Sequence, residues 1–351
     1  MKKILIVALV LVVVLTMAAG CSSPADSAPA PAPASEAPKS EEPSTQPAAS
    51  SDMVIGVSMD ELQNTFWVAA KKGMDEAAAK YGAKLEYRTC EGDAVKQNAQ
   101  IEELIAAGVD AIVVVYADRL AILQGVKAAN DAGVPIVYCD RPIEKTDEAG
   151  PDWGVATDEY ALCRAGWEWT IGYAKENGSQ LKVLEVVGSL NDKNVLIRSE
   201  VTAAVAEENT DTMEVVQQVL TEWDLEKTLA GTTNALQADP EINCIFMHYD
   251  GLLDPIATAL KQAGKWVPIG EDGHVILMPY SGNESGMKAM IDGYADMCFG
   301  MNTIGEGYQA VEACVKLING ENPGAFAADP GFIITQANLQ ELGPQTYGWP
   351  Q

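Results

Sequence analysis

Gly133-Val-Pro-Ile-Val-Tyr-Cys-Asp-Arg-Pro142 is a short apolar run closed at both ends by chain-breaking residues. Val134 to Tyr138 reads as a buried parallel strand, since strands covered on both faces are continuously apolar rather than alternating. Asp140 and Arg141 stand side by side at its carboxyl end. Ligands of open α/β sheets bind outside the carboxyl ends of the strands. A carboxylate next to a guanidinium offers two acceptor oxygens and a fork of fixed donors, which suits a ligand with neighbouring hydroxyls. An ion pair that only closes a loop leaves the same signature. On both readings the two side chains are expected to be partners of each other.

Working outward, strand and helix alternate with a regular period from Met53 onward. Strands are expected over Val54–Ser58, Lys84–Thr89 and Asp110–Tyr116, and helices over Phe66–Tyr81, Val95–Ala107 and Leu120–Ala132. Each helix stops at a glycine, Gly82, Gly108 or Gly133, where a left-handed cap belongs. A βαβ repeat of this kind needs a parallel sheet with helices on both faces. A second series follows, with strands expected over Leu181–Val187, Met213–Leu220, Cys244–Tyr249, Trp266–Gly270, Ala295–Phe299 and Phe332–Thr335. Its helices are expected over Val195–Glu208, Asp224–Ala238, Leu252–Ala263, Ser285–Asp292 and Thr303–Asn319. The expected fold class is α/β, with two doubly wound parallel-sheet lobes. A cleft between two such lobes is a favoured place for a ligand.

Composition narrows the function. The 351 residues are 48% hydrophobic and 21% charged, enough for two domain-sized cores. A net charge of −27 and a pI near 4.3 exclude nucleic acid as a partner, because its phosphates would be repelled. Only His248 and His274 are available for acid–base or zinc chemistry. No P-loop, GxSxG or HExxH is present, and Gly305-Glu-Gly-Tyr-Gln-Ala310 puts a glutamate where a dinucleotide pyrophosphate would lie. Neither an enzyme nor a cofactor is expected. Glu271, Asp272 and His274 could be metal ligands on one turn, but acidic turns mostly face solvent and no metal is expected. Cys90, Cys139, Cys163, Cys244, Cys298 and Cys314 include no CxxC; most read as small buried hydrophobes.

The N-terminus is read separately. Lys2 and Lys3 precede an apolar run from Ile4 to Leu15, too short for the roughly 18 residues a membrane span needs. Met17-Ala-Ala-Gly-Cys21 follows and resembles the lipobox of bacterial lipoproteins. That resemblance implies a signal peptide over 1–20 and lipidation at Cys21. Residues 21–52 are rich in Ser, Pro, Ala and Glu and cannot bury enough to fold. At about 3.3 Å per extended residue they form a tether reaching on the order of 100 Å. The expected location is the outer face of the cell membrane, held by lipid.

Signal, lipobox, tether and two lobes together resemble the type I periplasmic sugar-binding proteins, the ribose- and xylose-binding relatives of bacterial import systems. The resemblance runs from about Met53 to Thr335. Its most specific pieces are Ile55-Gly-Val-Ser58 leading into Asn64-Thr-Phe-Trp67, Gly108-Val-Asp-Ala-Ile-Val-Val114, and Val134 to Arg141. It implies a monomeric binding protein that captures a monosaccharide or related polyol and delivers it to an ABC permease and its ATPase. It also implies lobes over 53–156 plus 300–327 and 157–299 plus 328–351, joined by a three-strand hinge near Ala156, Phe299 and Ala328. The site residues it implies are Asn64, Phe66 and Trp67 in the first loop, then Asp140, Arg141, Arg198, Trp223, Tyr249 and Asp272. The chain departs from the family at Val201, where a glycine is usual, and at Tyr249, where a ring replaces an amide. The family's glutamine at the last crossover falls at Phe299 or Met301, neither of them an amide, and His274 to Asn283 is longer than in the family. A nucleoside or other non-sugar ligand, or a receptor that reports to a membrane sensor, therefore stay open.

Overall fold

The computed structural model describes residues 53–350; the signal segment, Cys21 and the tether lie outside the described residues. Strand alternation explains the first sheet. β1 (Val54–Met59) turns Ile55, Val57 and Met59 toward α1 (Thr65–Tyr81), while Gly56 faces Leu104 of α2 (Ala94–Ala107). β2 (Lys84–Thr89) pairs on one side of β1 and β3 (Ala111–Val114) on the other. Ile112 and Val114 of β3 pack with α2 and with α3 (Ile122–Ala132), and Ala111 and Val113 face the opposite layer. β4 (Ile136–Cys139) and β5 (Trp153–Thr157) extend the parallel sheet. α1 to α3 end at Gly82, Gly108 and Gly133 with φ of 70°, 78° and 70°, a conformation that costs a residue without Cβ nothing.

Beyond β5 the chain leaves this sheet through α4 (Glu159–Glu176), a helix absent from the sequence reading. Its buried Cys163, Trp167, Ile171 and Ala174 recur at helical spacing, so the signal was present. Next come β6 (Leu181–Val187), α5 (Lys193–Glu208), β7 (Met213–Leu220), α6 (Leu225–Ala238), β8 (Cys244–Met247), α7 (Leu253–Gln262) and β9 (Ile276–Met278). They form a second parallel sheet of order β7-β6-β8-β9. The strand expected over Trp266–Gly270 is not there. Pro268 cannot donate to a ladder, and Trp266 instead stacks on Tyr294 with centroids 4.6 Å apart. The wholly buried Ile276-Leu-Met278 takes the place beside β8.

β10 (Tyr280–Ser281) and β11 (Met297–Gly300) pair in parallel, with α8 (Glu284–Ile291) between them in the chain. The chain then crosses back into α9 (Thr303–Ile318), which lies against α1. The helices meet backbone to backbone. A Cβ on Gly73 would stand 1.8 Å from the Ile304 carbonyl, and one on Gly307 2.0 Å from that of Ala70. β12 (Ala327–Asp329) joins the first sheet beside β5, and β13 (Phe332–Thr335) returns to pair antiparallel with β11. Three segments thus connect the sheet systems, after Thr157, after Gly300 and after Asp329, giving the expected three-strand connection. The six cysteines of the described residues are buried and free.

Candidate functional site

The carboxyl ends of both parallel sheets face one cavity of about 370 Å³. Asp60, Asn64, Phe66, Trp67, Asp140 and Arg141 line it from the first sheet. Asn64 caps α1, its Oδ1 accepting from the Phe66 amide at 2.9 Å, which fixes the start of the helix and the two rings behind it. Phe66 and Trp67 meet edge to face at 4.8 Å. Both line the cavity, and the Arg141 guanidinium lies 4.9 Å from the Trp67 ring centroid.

Asp140 and Arg141 are not partners, contrary to the expectation from sequence. Asp140 has φ of 66°, and this left-handed kink separates the two side chains. Arg141 Nη1 donates to Asp60 Oδ2 at 3.0 Å and to the Tyr116 carbonyl, and its Nε stands 2.9 Å from Asp192 Oδ2. Asp60 follows β1 and Asp192 precedes α5, so one guanidinium joins the two walls. Asp140 Oδ2 accepts from Asn194 Nδ2 at 3.3 Å, and the same amide donates to the Asp140 carbonyl at 3.1 Å. Asp140 Oδ1 is buried without a partner. Burial, with Asp192 and Glu159 nearby, pushes the Asp140 carboxyl up to about 8.

The opposite wall carries Asp192, Asn194, Arg198, Trp223, Tyr249 and Ser281. Arg198 clasps Glu159 with Nε at 2.8 Å and Nη2 at 2.6 Å, and gives Nη1 to the His248 carbonyl. Its guanidinium centre lies 3.9 Å from the Tyr280 ring centroid, and the Tyr280 hydroxyl donates to Glu159. Trp223 sits on a left-handed backbone with Glu222, at φ of 65° and 52°. Only a glycine at 188 leaves it room, since a Cβ there would stand 2.0 Å from the indole. Tyr249 meets Trp223 edge on at 6.2 Å and sends its hydroxyl across the cavity to Asn64 Oδ1 at 2.5 Å. Asn64 Oδ1 is then fully used, and its amide nitrogen is left to donate. Asp140, Glu222, Trp223 and Ser281, four of the non-glycine residues with positive φ, all line the cavity. Strained backbone gathers where side chains must be aimed.

Asp272 is the misplaced member of the sequence set. It is exposed and lines no part of the cavity. The stretch His274 to Asn283 carries β9 and β10, so the residue presented at that carboxyl end is Ser281. Ser281 Oγ donates to the wholly buried Asp250, which also accepts from the Asn283 amide. Burial pushes Asp250 up to about 7 against these bonds. Asp60, Asp192 and Asn194 were missed, although Asn191-Asp-Lys-Asn194 carries a helix-cap signature and Asp60 follows an apolar strand. His274 bonds Asp296 and the Val267 carbonyl, and no metal-holding group of three such residues occurs among the described residues.

A family model described as the periplasmic binding protein domain matches residues 55–322. A putative rhizopine-binding protein of Rhizobium meliloti is 28% identical over 82% of this chain and 92% of its own length. The ribose import binding protein of Bacillus subtilis is 27% identical over 81% of this chain and 88% of its own. Among solved structures, an ABC transporter solute binding protein from Bacillus halodurans with bound myo-inositol superimposes with a TM-score of 0.74. It is 27% identical and covers 84% of this chain and 98% of its own. The family match takes in every residue that lines the cavity, and the chain belongs to the periplasmic binding protein domain family, a solute-binding protein and not an enzyme.

Proposed function

We propose that the cavity captures one monocyclic polyhydroxylated solute, a monosaccharide or a cyclitol, for import through an ABC permease. The observation that carries this reading is the pairing of aromatic faces with buried hydrogen-bonding groups aimed into one small space. Phe66, Trp67, Trp223 and Tyr249 would cover the C–H faces of a ring, while Asn64, Asp140, Arg141 and Arg198 take its hydroxyl edge. A volume of about 370 Å³ stands at the lower end of the roughly 300–1,000 Å³ of small-molecule sites, which favours one ring over a larger ligand. The ribose-import and inositol-bound relatives support the same class.

In this reading the lobes open and close about the three connecting segments. Arg119 N donates to Asn191 O at 3.1 Å across the walls, and the exposed Leu120 and Leu190, each next in the chain to one of these residues, are the side chains offered to the permease. The lipid on Cys21 holds the monomeric protein at the outer face of the membrane. Calorimetry against ribose, allose, myo-inositol, nucleosides and amino acids tests the ligand class. A ligand at about 100 times its dissociation constant adds about 2.7 kcal/mol to stability, so a thermal-shift screen reports it first. Response to nucleosides or amino acids alone would overturn the polyol reading. Cys21→Ala should release the protein from detergent-extractable membranes; unchanged membrane retention would refute the anchor.

A further inference from the structure

The charge in the cavity does not balance. Asp60, Glu61, Asp140, Asp192 and Glu222 face it, against Arg141 and Arg198. Arg198 is already matched by Glu159, which lies outside the lining, and Arg141 is shared by Asp60 and Asp192. Glu222 has Lys227, and Glu61 accepts from the amides of Gln63 and Asn64. Asp140 has no bonded cation. Close to it, Glu306 is also buried, bonded through Oε1 to Thr157 and with Oε2 unpartnered.

Hydrogen-bonding capacity points the same way. Asp140 is 4% exposed and Asn194 is fully buried, and each leaves one side-chain oxygen without a partner. The two side chains touch, come from opposite walls and both line the cavity. His248 also lines the cavity, its Nε2 lying 2.9 Å from Glu185 Oε1 and its buried Nδ1 without a partner. A hydroxyl brings one proton to such a wall. A primary ammonium brings three, no acceptor of its own, and the missing positive charge.

We propose that the solute is a polyhydroxylated amine, an amino sugar or aminocyclitol, whose ammonium sits on Asp140 Oδ1 beside Asn194 Oδ1, a proposal that rests on the cavity being a cyclic-polyol site. In the empty protein the Asp140 carboxyl holds its proton near neutral pH. An ammonium recruits the carboxylate and expels that proton, whereas a neutral polyol leaves it in place.

The test is calorimetry at pH 7 with matched pairs differing in one substituent: glucose and glucosamine, galactose and galactosamine, an inositol and the corresponding inosamine. Each pair is run in two buffers of different ionisation enthalpy. The amine of at least one pair should bind about tenfold or more tighter than its neutral twin and release about one proton. Asp140→Asn should remove the preference, and the wild-type proton count reads the same contact without relying on that variant. A neutral member that binds as tightly as its amine overturns the ammonium and leaves the polyol site standing. Preference that survives in Asp140→Asn overturns the assignment to Asp140. Silence from every pair overturns the amine, and a response to ribose or allose in the same cell then leaves the polyol site standing.

Discussion

Two buried arginines face the same cavity and are held in opposite ways. Arg198 is matched by one carboxylate, Glu159, in a two-pronged clasp, with Tyr280 beneath it and the His248 carbonyl at its edge, all on the second wall. Arg141 is divided between Asp60 on the first wall and Asp192 on the second. A guanidinium neutralised by a carboxylate of its own wall is scaffold, and the proposed opening of the cleft would leave it in place. One shared with a carboxylate from across the cleft would, on the proposed closure, gain that partner only in the shut form. The same residue type, equally buried, therefore ties groups within one wall in one case and joins two walls in the other.

Removing the Arg198 clasp should have the largest effect. Glu159→Ala leaves a buried guanidinium uncompensated and should cost about 3–5 kcal/mol in urea unfolding. A loss below about 1 kcal/mol would erase the distinction between the two arginines. Arg141→Ala should lower ligand affinity about 100-fold or more, since it removes a charged donor desolvated between the walls. Calorimetry showing near-normal binding would reduce Arg141 to a loop tie.

The pH response separates the walls further. Asp140 and Asp250 carry folded-state values of about 8 and about 7, above the roughly 4 of a free carboxyl. Between these limits the folded state binds protons that the unfolded chain has released. The contribution to stability is thus complete below about pH 4 and lost as pH rises through 7 to 8. Ligand-free protein should melt at a higher temperature at pH 5.5 than at pH 8.5, with a flatter profile in Asp140→Asn. An unchanged profile in that variant would assign the response to other groups.

Smaller effects complete the contrast. Tyr249→Phe deletes a hydroxyl that bridges the walls at Asn64 and should weaken binding about fivefold, near the 1 kcal/mol of one hydrogen bond, with the unfolding midpoint nearly unchanged. An equal loss in stability and binding would make Tyr249 part of the scaffold. Asp272→Ala should change affinity by no more than about twofold, because the residue is exposed and away from the cavity. A tenfold loss would restore it to the site.

Local pattern carried most of the fold. Gly82, Gly108 and Gly133 end helices because a left-handed cap depends on a few neighbouring residues, and their spacing exposes the βαβ unit. The same locality explains the failure at Trp266–Gly270, where an apolar run met the length of a strand but not the hydrogen-bonding need of one. In the site, Asn64, Phe66, Trp67, Asp140, Arg141, Arg198, Trp223 and Tyr249 come together around one cavity. Asp140 and Arg141 were legible as the carboxyl end of an apolar strand in a parallel fold, and the others through the resemblance to the type I periplasmic sugar-binding proteins.

The amino-acid order by itself determined the alternation of strands and helices, the caps that end them and the residue types presented at strand ends. Each depends on contacts within a few positions along the chain. Only the tertiary structure decided who pairs with whom. Asp140 turns from its neighbour Arg141 to Asn194, Arg141 reaches Asp60 and Asp192, and Ser281 displaces Asp272. Those partners lie far apart in sequence, and a charge buried between two walls is satisfied by whatever carboxylate the fold brings within about 3 Å.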